Sequence, residues 1–154
     1  MKNDNHEEHE GHEEHEADPF SVRRMRAASP LSVEAERAMH ETIGCAIAVH
    51  RALGPGFLES IYKKAMCIEL ESRQIAHERE RSINVTYRGI AISGQRVDLI
   101  VGGLVVVELK AVASFEEIHR AQLISYLRTM GLRGGLLINV RVRVLKDGIR
   151  RVVL

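Results

Sequence analysis

The stretch that decides the fold runs from residue 98 to residue 110 and reads DLIVGGLVVVELK. Two apolar segments flank a pair of glycines, which is the pattern of a β-hairpin with a tight turn. Asp98 begins this hairpin, and Glu108 and Lys110 stand near its end. Charged groups are costly to bury unless they pair with each other or with a metal. The stretch therefore predicts a functional site within an apolar sheet.

The register of the hairpin decides whether its two acids can meet. A two-residue turn at the glycines sets Asp98 opposite Val107 and points Glu108 to the other face of the sheet. A three-residue loop with a glycine in the left-handed conformation, or a bulge near Asp98, shifts the pairing so that Asp98 faces Glu108. Lys110 shares a face with Glu108 in either register, because side chains alternate along a strand. Both registers are open at this point.

The chemistry of the hairpin depends on what its two acids bind. If Asp98 and Glu108 converge, they offer the oxygen ligands that Mg²⁺ or Mn²⁺ prefers, with the Leu109 carbonyl and water completing the shell. A metal there would polarise a phosphate and lower the pKa of a water, and Lys110 would offset the developing negative charge. The alternative is that Glu108 and Lys110 form an edge-strand ion pair that contributes little beyond solubility.

Apolar spacing around the hairpin predicts a mixture of helices and strands. Helices are predicted at 32–53, 57–73 and 115–130, and strands at 80–87, 90–101, 104–109, 134–140 and 149–153. For the second helix, the expected buried stripe consists of Leu58, Ile61, Ala65, Ile68 and Leu70. This order predicts an α/β fold of the sandwich kind (α+β) rather than a doubly wound parallel sheet.

The charge of the chain is divided unevenly. Residues 1–18 contain one Lys and eight Asp or Glu, a net charge of −7, whereas the rest contains 21 Lys or Arg and 13 acids, a net charge of +8. The repeat HEEHEGHEEHE at 6–16 predicts a disordered tail, although its histidines could gather a transition metal. An alternative is that this acidic tail folds back over the basic body and competes with nucleic acid.

Composition narrows the class of protein further. Aromatic residues make up only 4% of the chain, which argues against a stacking platform for single-stranded nucleic acid. Cys45 and Cys67 belong to no CxxC pair and are expected to be buried free thiols. The acidic N-terminus lacks the apolar region of a secretory signal, and no apolar run is long enough for a membrane span. A cytoplasmic protein without a membrane partner is the expectation.

Four short motifs occur in a fixed order along the chain: GFLESIY at 56–62, VDL at 97–99, VELK at 107–110 and QLISYL at 122–127. Together they resemble the bacterial GxxExxY proteins, a branch of the PD-(D/E)XK nuclease-like superfamily. The resemblance covers the predicted domain at 31–154, whereas 1–30 holds the tail and a basic linker. It implies a restriction-endonuclease-like core, in which a mixed central sheet of about four strands is flanked by helices.

The resemblance also implies roles for single residues in the hairpin and the first core helix. Asp98 matches the metal-binding acid of the superfamily, and Glu108 and Lys110 match its ExK pair. Glu59 matches an acid that can complete the metal site. The implied metal ligands are therefore Asp98, Glu108, Glu59 and the carbonyl of Leu109.

The third predicted helix and nearby polar residues supply further candidates. Gln122 and Tyr126 lie on one helix face and resemble the QxxxY element of exonuclease-type members, which supports the site and the substrate strand. Tyr62 is favoured as a packing residue against the sheet. His50 and His119 are more often satisfied core or surface residues than site residues, although His119 lies three positions before Gln122.

Two functions follow from these motifs. The first is a Mg²⁺- or Mn²⁺-dependent nuclease that hydrolyses phosphodiester bonds in nucleic acid, with DNA favoured over RNA as the partner. The alternative is a catalytically silent relative that binds nucleic acid or another protein. Fold alone does not settle function, and a homo-oligomer is left open.

Overall fold

A computed structural model describes residues 29–154 of the chain. The predicted acidic tail and most of the basic linker, in residues 1–28, lie outside the described residues. In chain order the elements are α1 (Val33–Leu53), α2 (Glu59–Ser72), β1 (His77–Tyr87), β2 (Ile90–Val101), β3 (Val105–Lys110), α3 (Glu117–Met130), β4 (Gly134–Asn139), a 3₁₀ helix (Leu145–Gly148) and β5 (Ile149–Val153).

The five strands form one sheet in the order β1-β2-β3-β4-β5. β3 and β4 are parallel, and the other neighbouring pairs are antiparallel. The parallel pair requires a crossover, which α3 provides between the two strands. The predicted mixed sheet is confirmed, with one strand more than the core of about four that the resemblance implied.

Helices cover both faces of this sheet. In β3, Val105, Val107 and Leu109 join the apolar cluster that contains residues of α1 and α2. Val106, which points the opposite way, joins the cluster that contains residues of α3. Such alternation in a strand that is buried on both faces gives a continuous apolar run, which is then interrupted by Glu108. The predicted α+β sandwich fold is therefore confirmed.

The buried face of α2 differs from the predicted one. Among the predicted stripe, Leu58, Ile61 and Ile68 are exposed. The buried side chains of the helix are Tyr62, Met66, Cys67 and Leu70. Leu70 belongs to the predicted stripe and is buried, and Ala65 is half-buried against the core. Tyr62 and Met66 repeat with Leu70 every four residues and form the helical stripe that meets the sheet. The prediction was wrong for Leu58, Ile61 and Ile68, because both faces of this helix carry apolar residues and only one of them meets the sheet.

Close contact between α3 and β4 fixes the height of α3 above the sheet. A Cβ atom at Gly135 would lie 2.9 Å from Cδ1 of Leu123, a distance that real Cβ contacts do not reach. Gly135 thus permits α3 to approach the strand closely. Leu123 is fully buried there, and its neighbour Gln122 is held over the end of β3.

In residues 29–154, no helix combines the length and apolar character needed to cross a membrane.

Candidate active site

The hairpin between β2 and β3 turns on three residues. Val101 pairs with Val105, and Leu99 pairs with Val107. Gly102 and Gly103, the first two loop residues, have φ angles of 61° and 66°, in the left-handed region that glycine adopts without strain. Of the two registers that the sequence left open, the structure has the one with the longer loop, which brings Asp98 opposite Glu108.

The side chains of Asp98 and Glu108 meet where β2 and β3 part. The backbone ladder ends at the pair Leu99 and Val107. Beyond it, the backbone N–H of Asp98 donates to Oε1 of Glu108 at 3.1 Å, and the N–H of Leu109 donates to Oδ2 of Asp98 at 2.8 Å. The two carboxylates therefore replace the missing backbone hydrogen bonds. They lie next to each other where β2 and β3 separate, a place that we call the fork.

The environment of this pair makes Glu108 hard to ionise. Its side chain is only 4% exposed. Burial, together with the negative charge of Asp98, raises the pKa of Glu108 to about 7. Lys110 and Lys63 oppose this shift without cancelling it. Two carboxylates that lie side by side in a nearly dry site are typical of a functional site that binds a cation.

Lys63, on α2, is a residue of this site that the sequence motifs did not indicate. Its Nζ lies 2.6 Å from Oδ1 of Asp98 and 3.0 Å from Oε1 of Glu59. Burial would lower the pKa of Lys63, but hydrogen bonds to Asp98 and Glu59 raise it above its ordinary value of 10.5. The ammonium therefore bridges the two acids. Its position one helical turn after Glu59 was the only signal in the sequence.

Glu59 reaches the site only through Lys63. It begins α2, and its nearest charged partner is the Lys63 ammonium. Across residues 29–154, no three His, Cys, Asp or Glu side chains are grouped closely enough to hold a metal ion. The structure thus brings Asp98 and Glu108 together directly, whereas Glu59 is separated from them by an ammonium group.

Lys110 projects from the end of β3 toward α3. Its Nζ donates to Oε1 of Gln122 at 3.1 Å and lies 3.9 Å from Oε2 of Glu108. The side chain is 19% exposed, so the ammonium lies at the rim of the carboxylate pair. Gln122 therefore holds Lys110 in a defined position beside the acids.

Tyr126 lies one turn beyond Gln122 and points to the same part of the sheet. It is buried, and Nε2 of Gln95 in β2 donates to its hydroxyl group. Burial raises the pKa of Tyr126, and the negative charge of Glu108 adds to this effect. Gln95 was not among the predicted site residues, because only the β2 register places it beside α3.

The remaining candidates have structural roles. Tyr62 is fully buried, and its hydroxyl donates to the Gly54 carbonyl and accepts from the Phe57 N–H, which ties down the loop before α2. His50 is buried and bonds the carbonyl of Val142. His119 accepts from the N–H of Glu116 and caps α3. The expectation that these two histidines are satisfied core or surface residues agrees with these contacts.

A comparison with known protein families gives a match. A family model described as the PD-(D/E)XK nuclease superfamily matches residues 36–152, which run from α1 into β5. Neither a curated protein nor a solved structure matches the chain. Members of this superfamily generally use divalent metal ions, and a nuclease superfamily implies nucleic acid as substrate. By the extent of this match, the chain belongs to the PD-(D/E)XK nuclease superfamily.

Proposed function

We propose that this protein is a Mg²⁺- or Mn²⁺-dependent nuclease that hydrolyses phosphodiester bonds in nucleic acid, with DNA as the favoured substrate. The observation that carries the proposal is the contact between Asp98 and Glu108 at the fork of β2 and β3, with Lys110 at its rim. Family membership supports the reaction class.

The donor set at the fork suits a hard divalent cation. Asp98 and Glu108 supply carboxylate oxygens, which such cations prefer, and Glu108 is almost completely buried beside the charge of Asp98. The Leu109 carbonyl, and Glu59 once it parts from Lys63, are the further proposed ligands. When bound, the cation would polarise the phosphate and lower the pKa of a water near it.

The chain's own residues would then orient the reacting groups. In hydrolysis, a water oxygen forms a bond to phosphorus and gives up a proton, while the bond to the leaving oxygen breaks and that oxygen takes up a proton. The Lys110 ammonium, held by Gln122, is placed to stabilise the negative charge that grows on the phosphate oxygens. Tyr126, held by Gln95, is proposed to support this arrangement and the substrate strand.

Exposed cations in two clefts of the surface suit a nucleic-acid backbone. Arg141 and Glu59 line one cleft of about 490 Å³. Arg143 lines a second cleft of about 500 Å³, together with Arg51 and Lys146. These four cations are exposed, and none forms an ion pair with another residue in the part of the chain that the structure describes. They supply unpaired positive charge that phosphates would neutralise.

Finer assignments of the chain are also part of the proposal. We place it in the GxxExxY branch, since Glu59 and Tyr62 of that motif lie at the site and at the loop that leads to it. The domain is taken as residues 31–154. A cytoplasmic location is consistent with Cys45 and Cys67, which are both free and buried.

A catalytically silent binding module is the second candidate. The observation that favours it is Lys63, which pairs with Asp98 and so partly satisfies the acids without a metal. Such a protein would keep the fold and the basic clefts but would not turn over substrate. The two candidates differ in whether cleavage requires the carboxylate pair.

The test is a cleavage assay with purified protein and Mg²⁺ or Mn²⁺ on linear, circular and single-stranded DNA and on RNA. Lys110→Ala and Asp98→Ala variants, checked for folding by circular dichroism, run beside it. Cation-dependent cleavage that both variants lose supports the nuclease. Equal activity in all three preparations indicates a contaminant, and binding without cleavage favours the silent module.

A further inference from the structure

Lys63 stands in a position that a bound cation would need. Its Nζ contacts Oδ1 of Asp98 at 2.6 Å, on the carboxylate that is proposed to bind the metal. The same ammonium holds Glu59 at 3.0 Å. Oδ2 of Asp98 already accepts the N–H of Leu109. Oδ1 is therefore the oxygen for which a cation and Lys63 would compete.

The charges of the site favour either the Lys63 ammonium or a divalent cation beside Asp98, rather than both together. Glu59, Asp98 and Glu108 carry three negative charges when ionised, and Lys63 and Lys110 carry two positive charges, which leaves a net charge of −1. Without Lys63 the net charge is −2, which a divalent cation balances. A cation on Oδ1 of Asp98 would also lie within a few ångströms of the Lys63 ammonium and be repelled by it.

Both partners of this ion pair reach solvent. The Lys63 side chain is 28% exposed and has a flexible four-carbon stem, and the Glu59 side chain is 35% exposed. Departure of Lys63 toward solvent would free an oxygen of Asp98 and, at the same time, the carboxylate of Glu59.

We propose that Lys63 is an internal counter-cation, which pairs with Asp98 and Glu59 in the metal-free protein and is displaced by the divalent cation on binding. Lys63 thereby lowers the affinity of the site for the cation and delivers Glu59 as a ligand only when the cation arrives. This inference rests on the proposed metal-dependent function.

The first test measures cation binding by calorimetry at pH 8.5. Lys63→Met should bind Mn²⁺ about tenfold more tightly than the wild type, because one opposing charge is removed. Lys64→Met is the matched control, since Lys64 is the exposed neighbour on the same helix. Its affinity should equal that of the wild type.

The outcomes separate this inference from the proposed function. If the wild type binds Mn²⁺ and Lys63→Met binds it equally or more weakly, the role of Lys63 is overturned while the metal site stands. If neither protein binds Mn²⁺, the metal site fails and the inference fails with it. Binding by Lys63→Met alone supports displacement.

The second test uses the wild-type chain and does not depend on how well a variant folds. Brief acetylation with acetic anhydride, followed by mass spectrometry of the peptides, reports how accessible each lysine ammonium is. Saturating Mg²⁺ should increase acetylation of Lys63 relative to the same protein in EDTA and leave Lys64 unchanged. Unaltered protection of Lys63 under saturating cation would show that the ammonium stays in place and would refute the displacement.

Discussion

The backbone N–H of Asp98 donates to the carboxylate of Glu108 at 3.1 Å, across the point where β2 and β3 separate. The N–H of Leu109 donates in turn to the carboxylate of Asp98. Each carboxylate thus takes the place of a backbone hydrogen bond between the two strands. The acids are therefore fixed by the backbone itself. A site built on rigid strands keeps its geometry more precisely than one built on loops.

Glu108 should make the protein less stable as the pH rises. Its pKa is about 7 in the folded state against an ordinary value of 4.5. Between these values the folded state binds more protons than the unfolded state, so the free energy of unfolding falls as the pH rises. At roughly 1.4 kcal/mol per pKa unit, the loss reaches about 3 kcal/mol by pH 8.

Urea unfolding in EDTA from pH 4.5 to 8 measures this effect. Glu108→Gln should gain stability over the wild type progressively through that range, because the amide does not ionise. Glu41→Gln, at an exposed position on α1, should follow the wild-type profile. Parallel profiles for Glu108→Gln and the wild type would mean that Glu108 ionises normally.

Gln122→Ala should slow cleavage without weakening cation binding. Gln122 accepts from Lys110 and holds that ammonium beside the acids, but it makes no contact with either carboxylate that we propose as a ligand. Misplacing a catalytic group by about 1 Å lowers rates on the order of 100-fold. Gln122→Glu, which keeps an acceptor for Lys110, should lose less. A parallel loss of Mn²⁺ affinity in calorimetry would contradict this division of roles.

Removing Arg141 and Arg143 together should weaken binding to DNA. The slope of log affinity against log salt concentration should fall by about 1 for each arginine removed, if each neutralises one phosphate. Fluorescence anisotropy in EDTA, on an Asp98→Asn background, measures binding without cleavage. Arg37→Ala, at an exposed position on α1, is the control. If Arg37→Ala lowers the slope by the same amount for its one arginine, only the overall charge of the protein matters.

Deletion of residues 1–18 should strengthen binding to DNA at low salt. This segment carries a net charge of −7 in a chain whose remaining residues carry +8, so it is expected to compete with phosphates for the basic clefts. The gain should disappear as salt screens the charges. The measurement is DNA affinity at two salt concentrations for the full and shortened chains. Unchanged affinity at low salt would dispose of the competition.

The hairpin shows how far sequence reasoning reaches here. Its strands, its acids and the shared face of Glu108 and Lys110 follow from apolar patterning and alternation. The register does not, because a Gly-Gly pair suits both a two-residue and a three-residue loop. Only the pairing of Val101 with Val105 selects between them.

The second helix shows where such reasoning fails. Ile61 and Ile68 define one apolar stripe and Tyr62 and Met66 another, and periodicity does not say which stripe faces the sheet. Lys63 was missed for a related reason. Its role arises from the approach of α2 to β2, a tertiary contact that leaves no local pattern in the sequence.

The most direct test of the central claim is the initial rate of Mg²⁺-dependent phosphodiester cleavage by the wild type and by Asp98→Asn. This variant keeps an oxygen that can accept the N–H of Leu109 but loses the charge that would bind the cation. We expect the wild type to cleave nucleic acid only with the cation present. The variant should bind nucleic acid without cleaving it. Equal rates for the two proteins, or cleavage by the wild type in EDTA, would contradict a metal site at Asp98 and Glu108.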